Sequence, residues 1–127
     1  YTLGCLMAFL DKYPDKAVTV YVDNKYFLDI LKQWVRHPRI KMVHKKNDAK
    51  LLGALDSPFI VYVDNNITDR WTHLPHFMMV TGATDKFYSA FDPWGGKTIK
   101  VSKDRLLNGI ELLRDHVKVC PFVITAS

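Results

Sequence analysis

Cysteine is scarce and long apolar runs are missing from this sequence, and each absence excludes a class of protein. Two cysteines among 127 residues cannot form the disulfide framework of a small secreted scaffold, and they do not form a CxxC redox motif. A reducing, cytoplasmic compartment is therefore predicted. No apolar run approaches the roughly 18 residues of a membrane-spanning helix, so the sequence predicts no membrane span. No signal peptide or transit segment is recognisable either.

A strong excess of one charge is also missing. The 18 Lys and Arg residues against 13 Asp and Glu residues give a net charge of +5. Because the basic residues are scattered, we expect a solvated surface and no nucleic-acid partner. With 48% hydrophobic and 13% aromatic residues, the chain is not intrinsically disordered. Its length predicts a single domain over residues 1–127. Because it starts at Tyr1 rather than Met, we expect a trimmed N-terminus or a larger parent protein.

Apolar residues at helical spacing predict four helices. The first ends before Pro14 and carries a stripe of Leu3, Leu6, Met7 and Leu10. The stripe of the second helix, which ends before Pro38, is Phe27, Ile30, Leu31, Trp34 and Val35. The predicted helix starts are Asp23 or Asn24 for the second helix, Asn47-Asp48 for a brief third and Ser102 for the last.

Runs of strand length fill most of the second half of the chain. Because helices come first and strands later, this order predicts an α+β fold, with N-terminal helices packed on a mostly antiparallel sheet. The polar stretch Asp64–Pro75 is a candidate functional loop, and Gly82–Lys86 and Pro93–Gly96 are predicted turns. The predicted strands are Val18–Val22, Ile40–His44, Phe59–Val63, His76–Thr81, Phe87–Phe91, Thr98–Val101 and Val117–Thr125.

Cys5 is the candidate nucleophile, since it lies in the first turn of the first helix. The positive end of the helix dipole favours the thiolate there, and nucleophilic catalysis needs a thiolate, a base and a group that orients the base. The alternative is a small buried cysteine that fills a packing gap. Cys120, in an apolar run, is predicted to be buried and inert.

His76 and Asp92 are the candidate base and orienting residue. His76 opens one predicted strand and Asp92 ends the next. A hairpin places the start of one strand beside the end of the other, so both side chains are expected at the same edge. Taken singly, His76 is a polar residue at a strand end and Asp92 a turn former before Pro93.

This order of residues resembles the papain-like cysteine peptidases, most closely the bacteriocin-processing, double-glycine-leader family and its peptidase-like relatives. The resemblance is strongest over residues 75–96, where His76 opens the run His-Phe-Met-Met-Val-Thr-Gly and Asp92 precedes Pro93. It implies a papain-like fold and a cofactor-free thiol hydrolase that cleaves a peptide or amide bond in a peptide or protein substrate. Cys5 would attack the carbonyl, His76 would move the proton, and Asp92 would orient His76. A segment ending in small residues such as Gly-Gly is the substrate that the family implies.

Two departures from the family keep a second hypothesis open. The family has Cys-Gly at the nucleophile, whereas the order here is Gly4-Cys5, and the four residues given before Cys5 include no oxyanion-hole Gln, which a trimmed N-terminus would leave upstream of Tyr1. Loss of such a donor costs about 10²–10³ in rate. The alternative is a catalytically inactive peptidase-like domain that binds a peptide or protein partner. In either case Trp94 and Gly4 are predicted to line the substrate cleft.

No metal site is predicted. His73 and His76 are close in sequence, but Asp69 is the one nearby carboxylate, and zinc normally takes three protein ligands. His37 precedes Pro38, His44 precedes Lys45 and His116 lies two residues before Lys118, and all three histidines are predicted to lie at the surface.

Overall fold

The computed structural model describes residues 2–68 and 72–126. Four α-helices and seven β-strands form this part of the chain. A 3-10 turn, Asn65–Thr68, follows the third strand, and a π-helical turn, Leu113–Val117, follows the last helix. The elements are α1 Thr2–Lys12, β1 Val18–Val22, α2 Lys25–Trp34, β2 Ile40–His44, α3 Ala49–Gly53, β3 Phe59–Asp64, β4 Pro75–Ala83, β5 Phe87–Asp92, β6 Lys97–Ser102, α4 Lys103–Leu112 and β7 Phe122–Ala126.

The strands form one sheet in the order β2-β1-β7-β3-β4-β5-β6. β1 and β2 pair in parallel, and each of the other neighbouring pairs is antiparallel. The predicted α+β class with a mostly antiparallel sheet is therefore confirmed. The predicted strands Val18–Val22 and Ile40–His44 are present as β1 and β2, so helices and strands alternate in the first half of the chain, and the broad order of helices before strands does not hold there. This alternation follows from the parallel pair, because parallel strands need a crossover such as α2.

Helices cover both faces of the sheet. Buried residues of α1 and α2 pack with β1, β7 and the Ile60 side of β3; we call this the α1 face. α3 and α4 pack with Val61, Val63 and their neighbours on the other side, the α4 face. Since successive residues of a strand point to opposite faces, β4 divides its side chains between the two. Phe77 and Met79 lie on the α1 face, and Met78 and Val80 lie on the α4 face.

Local signals set the beginnings of three helices as predicted. The Asn24 side chain accepts hydrogen bonds from the backbone N–H groups of Tyr26 and Phe27, and so caps α2. Asp48 caps α3 and Ser102 caps α4 in the same way. These caps satisfy N–H groups that have no partner within the helix.

Three details differ from the sequence prediction. The segment predicted as a strand from Val117 contains the end of the π-helical turn and a left-handed Lys118, so β7 begins only at Phe122. Met7 and Trp34, which the periodicity assigned to buried stripes, are exposed. The apolar spacing is right, but the sheet covers a narrower stripe of each helix than the spacing suggests.

Candidate functional site

His76 and Asp92 form a buried pair at the edge of the β4–β5 hairpin. Pro75 starts β4 and Asp92 ends β5, so the hairpin brings the two side chains together. The distance from His76 Nε2 to Asp92 Oδ1 is 2.9 Å, and each residue is 3% exposed. The backbone N–H of Trp94 donates to the same Asp92 oxygen at 3.0 Å. The turn after β5 therefore holds the Asp92 carboxylate in position, and the carboxylate in turn orients the His76 ring.

The pair determines which ring nitrogen of His76 is basic. With Asp92 ionised, its carboxylate can only accept, so Nε2 of His76 donates in this pair and a neutral ring would carry its lone pair on Nδ1. The ring of Trp94 lies 4.9 Å from the ring of His76, centroid to centroid. Trp94 itself is 57% exposed, so one side of its indole faces solvent above the buried pair.

A cleft of about 510 Å³ opens beside this pair. Its walls are mostly aromatic and apolar, and the rings of Tyr62 and Phe77 stack in it at 4.2 Å on neighbouring strands. Burial raises the pKa of Tyr62, so its hydroxyl is neutral over the physiological range. We call this cavity the Trp94 cleft; it is lined by Tyr62, Leu74, Pro75, His76, Phe77, Pro93 and Trp94.

Cys5 lies on α1, half-buried, in a different cavity. This cavity, of about 160 Å³, belongs to the α1 face and shares Phe77 and Pro93 with the Trp94 cleft. His76 has the opposite orientation on β4, because it alternates with Phe77 and pairs with Val63 of the α4 face. Among the described residues, no hydrogen bond joins the Cys5 thiol to His76. The other residues that line the Cys5 cavity are Ile60, Met78, Met79 and Phe91.

The apolar surroundings of Cys5 reverse the expected effect of the helix dipole. Burial raises the pKa of Cys5 to about 11, whereas the position at the start of α1 predicts a lowered pKa. Desolvation is the largest cause of the shift, since the residues that line the cavity are apolar. Burial also raises the pKa of Cys120 to about 11, and the two cysteines are free. Both thiols are therefore protonated at neutral pH.

The remaining predicted site residues are placed as follows. Trp94 lines the cleft, as just described, whereas Gly4 is exposed on α1, and a Cβ built there would meet no atom within 4 Å. In the predicted loop, Asp64 completes β3 and Asn65–Thr68 forms the 3-10 turn. Asp69, like residues 70 and 71, lies outside the described residues.

Sequence reasoning missed several residues of the cleft and one polar contact beside it. Tyr62 and Phe77 are both aromatic and lie in predicted strands, but their stacking depends on a cross-strand register that the sequence does not give. Asp64 bonds to His73, so His73 and His76 contact different carboxylates rather than each other. Over residues 2–68 and 72–126, no group of three or more His, Cys, Asp or Glu side chains is arranged to hold a metal ion.

No protein-family model, curated protein or solved structure matches this chain. Within the part of the chain that the structure describes, no helix has both the length and the apolar character that crossing a membrane requires.

Proposed function

We propose that this chain is a catalytically inactive peptidase-like domain that binds an extended segment of a peptide or protein in the Trp94 cleft. The observation that carries the proposal is the separation of the parts of a thiol hydrolase. His76 and Asp92 are hydrogen-bonded beside an aromatic cleft, while the protonated Cys5 thiol lies in an apolar cavity on the α1 face. The likeness of the His76–Asp92 hairpin to papain-like peptidases supports a peptidase-like origin of the cleft.

The lining of the two cavities suggests what the bound segment contains. Flat, exposed aromatic surface with a polar tip is what extended peptides contact in many binding sites, and Trp94 offers such a surface. Phe77 and Pro93 stand between the two cavities, so the cavities form neighbouring subsites. A large apolar side chain fits the Trp94 cleft, and a small one fits the cavity at Cys5. The ligand that we expect is therefore an apolar, extended segment.

A second candidate function is the thiol hydrolase itself, and the His76–Asp92 hydrogen bond favours it. In that mechanism Nδ1 of His76 would take the proton of the Cys5 thiol, the thiolate would attack the carbonyl carbon of a peptide or amide bond, and His76 would return the proton to the leaving amine. Asp92 would hold the imidazole tautomer. This mechanism needs a thiol within hydrogen-bond reach of Nδ1 and a lowered thiol pKa.

Selection of peptides on the immobilised chain tests the binding function. A phage-displayed library of random peptides is panned against the chain, and the dissociation constants of enriched peptides are measured by fluorescence anisotropy. We expect apolar consensus sequences whose affinity falls at least ~10-fold in Trp94→Ala, because a truncated aromatic anchor costs about 2 kcal/mol or more. Trp34→Ala is the matched control, since Trp34 is exposed on α2, outside the residues that line either cavity.

Two outcomes would contradict the binding function. In one, repeated rounds of panning enrich no peptide above the level seen on a blank surface. In the other, the enriched peptides bind Trp94→Ala as tightly as the unmodified chain, so that they contact a surface other than the cleft. Cleavage of an enriched peptide that stops in Cys5→Ala would instead support the hydrolase.

A further inference from the structure

Helix α2 carries an exposed apolar row in addition to the residues that pack on the sheet. Leu28 and Leu31 are its buried residues. Tyr26, Ile30 and Trp34 are spaced by four residues, so they follow another row along the helix. Tyr26 is 75% exposed and Trp34 is 78% exposed, the largest fractions among the exposed large hydrophobic residues of the part of the chain that the structure describes. One helix therefore presents two aromatic side chains to solvent.

Basic residues accompany this apolar row. The segment 25–50 contains eight Lys or Arg residues and two Asp residues, a net charge of +6, so the remaining residues of the +5 chain sum to −1. The positive charge is therefore concentrated in one segment, and the prediction of scattered basic residues is wrong here. The exposed basic residues of the segment are Lys25, Lys32, Arg36, Lys41, Lys45, Lys46 and Lys50.

The basic residues of α2 adjoin those at the end of β2. Lys25 donates a hydrogen bond at 2.8 Å to Asp29, one helical turn ahead. The pKa of Asp29 is lowered first by this hydrogen bond, and Lys32 and His44 lower it further through their charges. Because His44 ends β2, one flank of α2 lies beside the edge strand of the sheet.

A further cation lies on the other flank of α2. Tyr26 and Ile30 line a cavity of about 340 Å³ together with Lys118, which is exposed. The carboxylate in this cavity, Asp23, is already bound by two hydrogen bonds from Arg114. The apolar row therefore has basic residues on both sides. We call the outer side of this helix the α2 surface; it consists of Lys25, Tyr26, Ile30, Lys32, Trp34 and Arg36.

We propose that the α2 surface binds an anionic lipid bilayer, with its basic residues at the lipid phosphates and its aromatic rings at the headgroup boundary. Trp and Tyr favour this boundary because each ring is apolar and carries one polar N–H or O–H group. Each Lys or Arg near an anionic lipid surface strengthens binding by about fivefold. Trp34 stands on the convex side of a helix, which a soft bilayer boundary can surround, whereas ligands of proteins are bound mainly in concave sites. The contact is peripheral, with α2 lying along the bilayer.

The α2 surface is separate from the Trp94 cleft. None of its residues is among those that line the cleft. Lipid binding therefore does not depend on the proposed peptide function, and each can fail without the other. Trp34→Ala should weaken lipid binding and leave peptide binding unchanged, and Trp94→Ala should do the reverse.

Co-sedimentation of the full chain with lipid vesicles tests the proposal. The vesicles contain phosphatidylcholine with roughly 30% phosphatidylserine, and vesicles of phosphatidylcholine alone are the reference. We expect binding to the anionic vesicles that weakens with added NaCl, and about 25-fold lower affinity when Lys32→Gln and Arg36→Gln are combined. The matched control combines Lys97→Gln and Lys100→Gln, which remove the same charge from exposed residues of β6, at the opposite edge of the sheet.

Tryptophan fluorescence gives a second readout. Emission should shift to the blue on the anionic vesicles as the Trp34 indole leaves water, and Trp34→Ala should remove this shift. The affinity of Trp34→Ala should fall at least ~10-fold, because the Trp side chain brings on the order of 100 Å² of apolar surface out of water.

Four results would overturn the proposal. The unmodified chain does not bind the anionic vesicles at millimolar lipid, the β6 control loses as much affinity as the α2 double variant, or Trp34→Ala binds as tightly as the unmodified chain. In the fourth, the chain binds a DNA duplex more tightly than the vesicles, and the α2 double variant loses that binding, which would assign the α2 surface to nucleic acid.

Discussion

The reactivity of Cys5 toward an alkylating agent separates an inactive domain from a thiol hydrolase. Only the thiolate reacts with iodoacetamide, so the rate follows the fraction of ionised thiol. Burial raises the pKa of Cys5 from 9.0 to about 11, which lowers the thiolate fraction at neutral pH by about a hundredfold. We therefore expect Cys5 to be alkylated far more slowly than free cysteine. Its rate should rise about tenfold per pH unit through the range from 7 to 10.

Cys120 provides an internal reference for this measurement. Burial raises its pKa to the same value of about 11, and it is half-buried like Cys5. In a time course followed by peptide mapping with mass spectrometry, the two thiols should react at rates within about tenfold of each other. Cys120→Ser isolates the reaction of Cys5, and His76→Ala should leave that reaction unchanged.

One result would refute this reasoning. If Cys5 reacts faster than free cysteine at mildly acidic pH, and His76→Ala abolishes the excess, then Cys5 is a thiolate paired with the His76 imidazole. As the pH is raised, the alkylation rate would then reach its plateau below neutral pH, because a thiol with a low pKa is already fully ionised there. Such a profile would favour the hydrolase over the inactive domain, because it would show that Cys5 and His76 interact.

Two further predictions concern stability, each measured by urea unfolding. Gly109→Ala should lower the free energy of unfolding by about 1–3 kcal/mol, because the added Cβ would lie 2.8 Å from Cγ2 of the buried Ile67; Gly53→Ala, where a Cβ meets nothing within 4 Å, is the control and should not destabilise the chain. An equal effect of the two would contradict this. Burial disfavours ionisation of Asp23, but two hydrogen bonds from Arg114 outweigh it and hold the pKa of Asp23 below 3.8. The stabilisation from ionised Asp23 is therefore present above pH 4 and is lost as the pH falls through the lowered pKa. At pH 7, Asp23→Asn should be less stable than the unmodified chain by about 1–3 kcal/mol. Between pH 7 and pH 3, the variant should lose less unfolding free energy than the unmodified chain.

The features that the sequence predicts well are those with local causes. Asn24, Asp48 and Ser102 begin helices because each side chain binds backbone N–H groups two or three residues ahead. The juxtaposition of His76 and Asp92 was predictable because a short turn between two strands sets their pairing. Both inferences need only residues that are near each other in the chain.

The features that the sequence does not predict depend on distant partners. β7 pairs between β1 and β3, which are far away in the chain, so nothing in its own residues places it at the centre of the sheet. The environment of Cys5 has the same origin, since its cavity is built from β3, β4 and β5. The helix dipole depends on α1 alone, so it gives no sign of the desolvation that dominates the pKa of Cys5.

The orientation of His76 on β4 bears on whether the Cys5 thiol can reach its ring. A rotation about the Cys5 side-chain bond moves the sulfur by only a few ångströms, because cysteine has a single side-chain torsion that positions it. Cys5 packs on the α1 face, whereas His76 pairs with Val63 of β3 and points to the α4 face. α1 is held on its face of the sheet by Leu6, Phe9 and Leu10, each nearly fully buried.

The hydrogen bond between His76 and Asp92 therefore does not by itself require catalysis. Asp92 also accepts the backbone N–H of Trp94, so the carboxylate determines the shape of the turn that carries the exposed indole. A domain that only binds peptides would keep this pair to hold Trp94 over the cleft. It would have no comparable use for a reactive Cys5, and a protonated thiol in an apolar cavity is what such a domain is expected to contain.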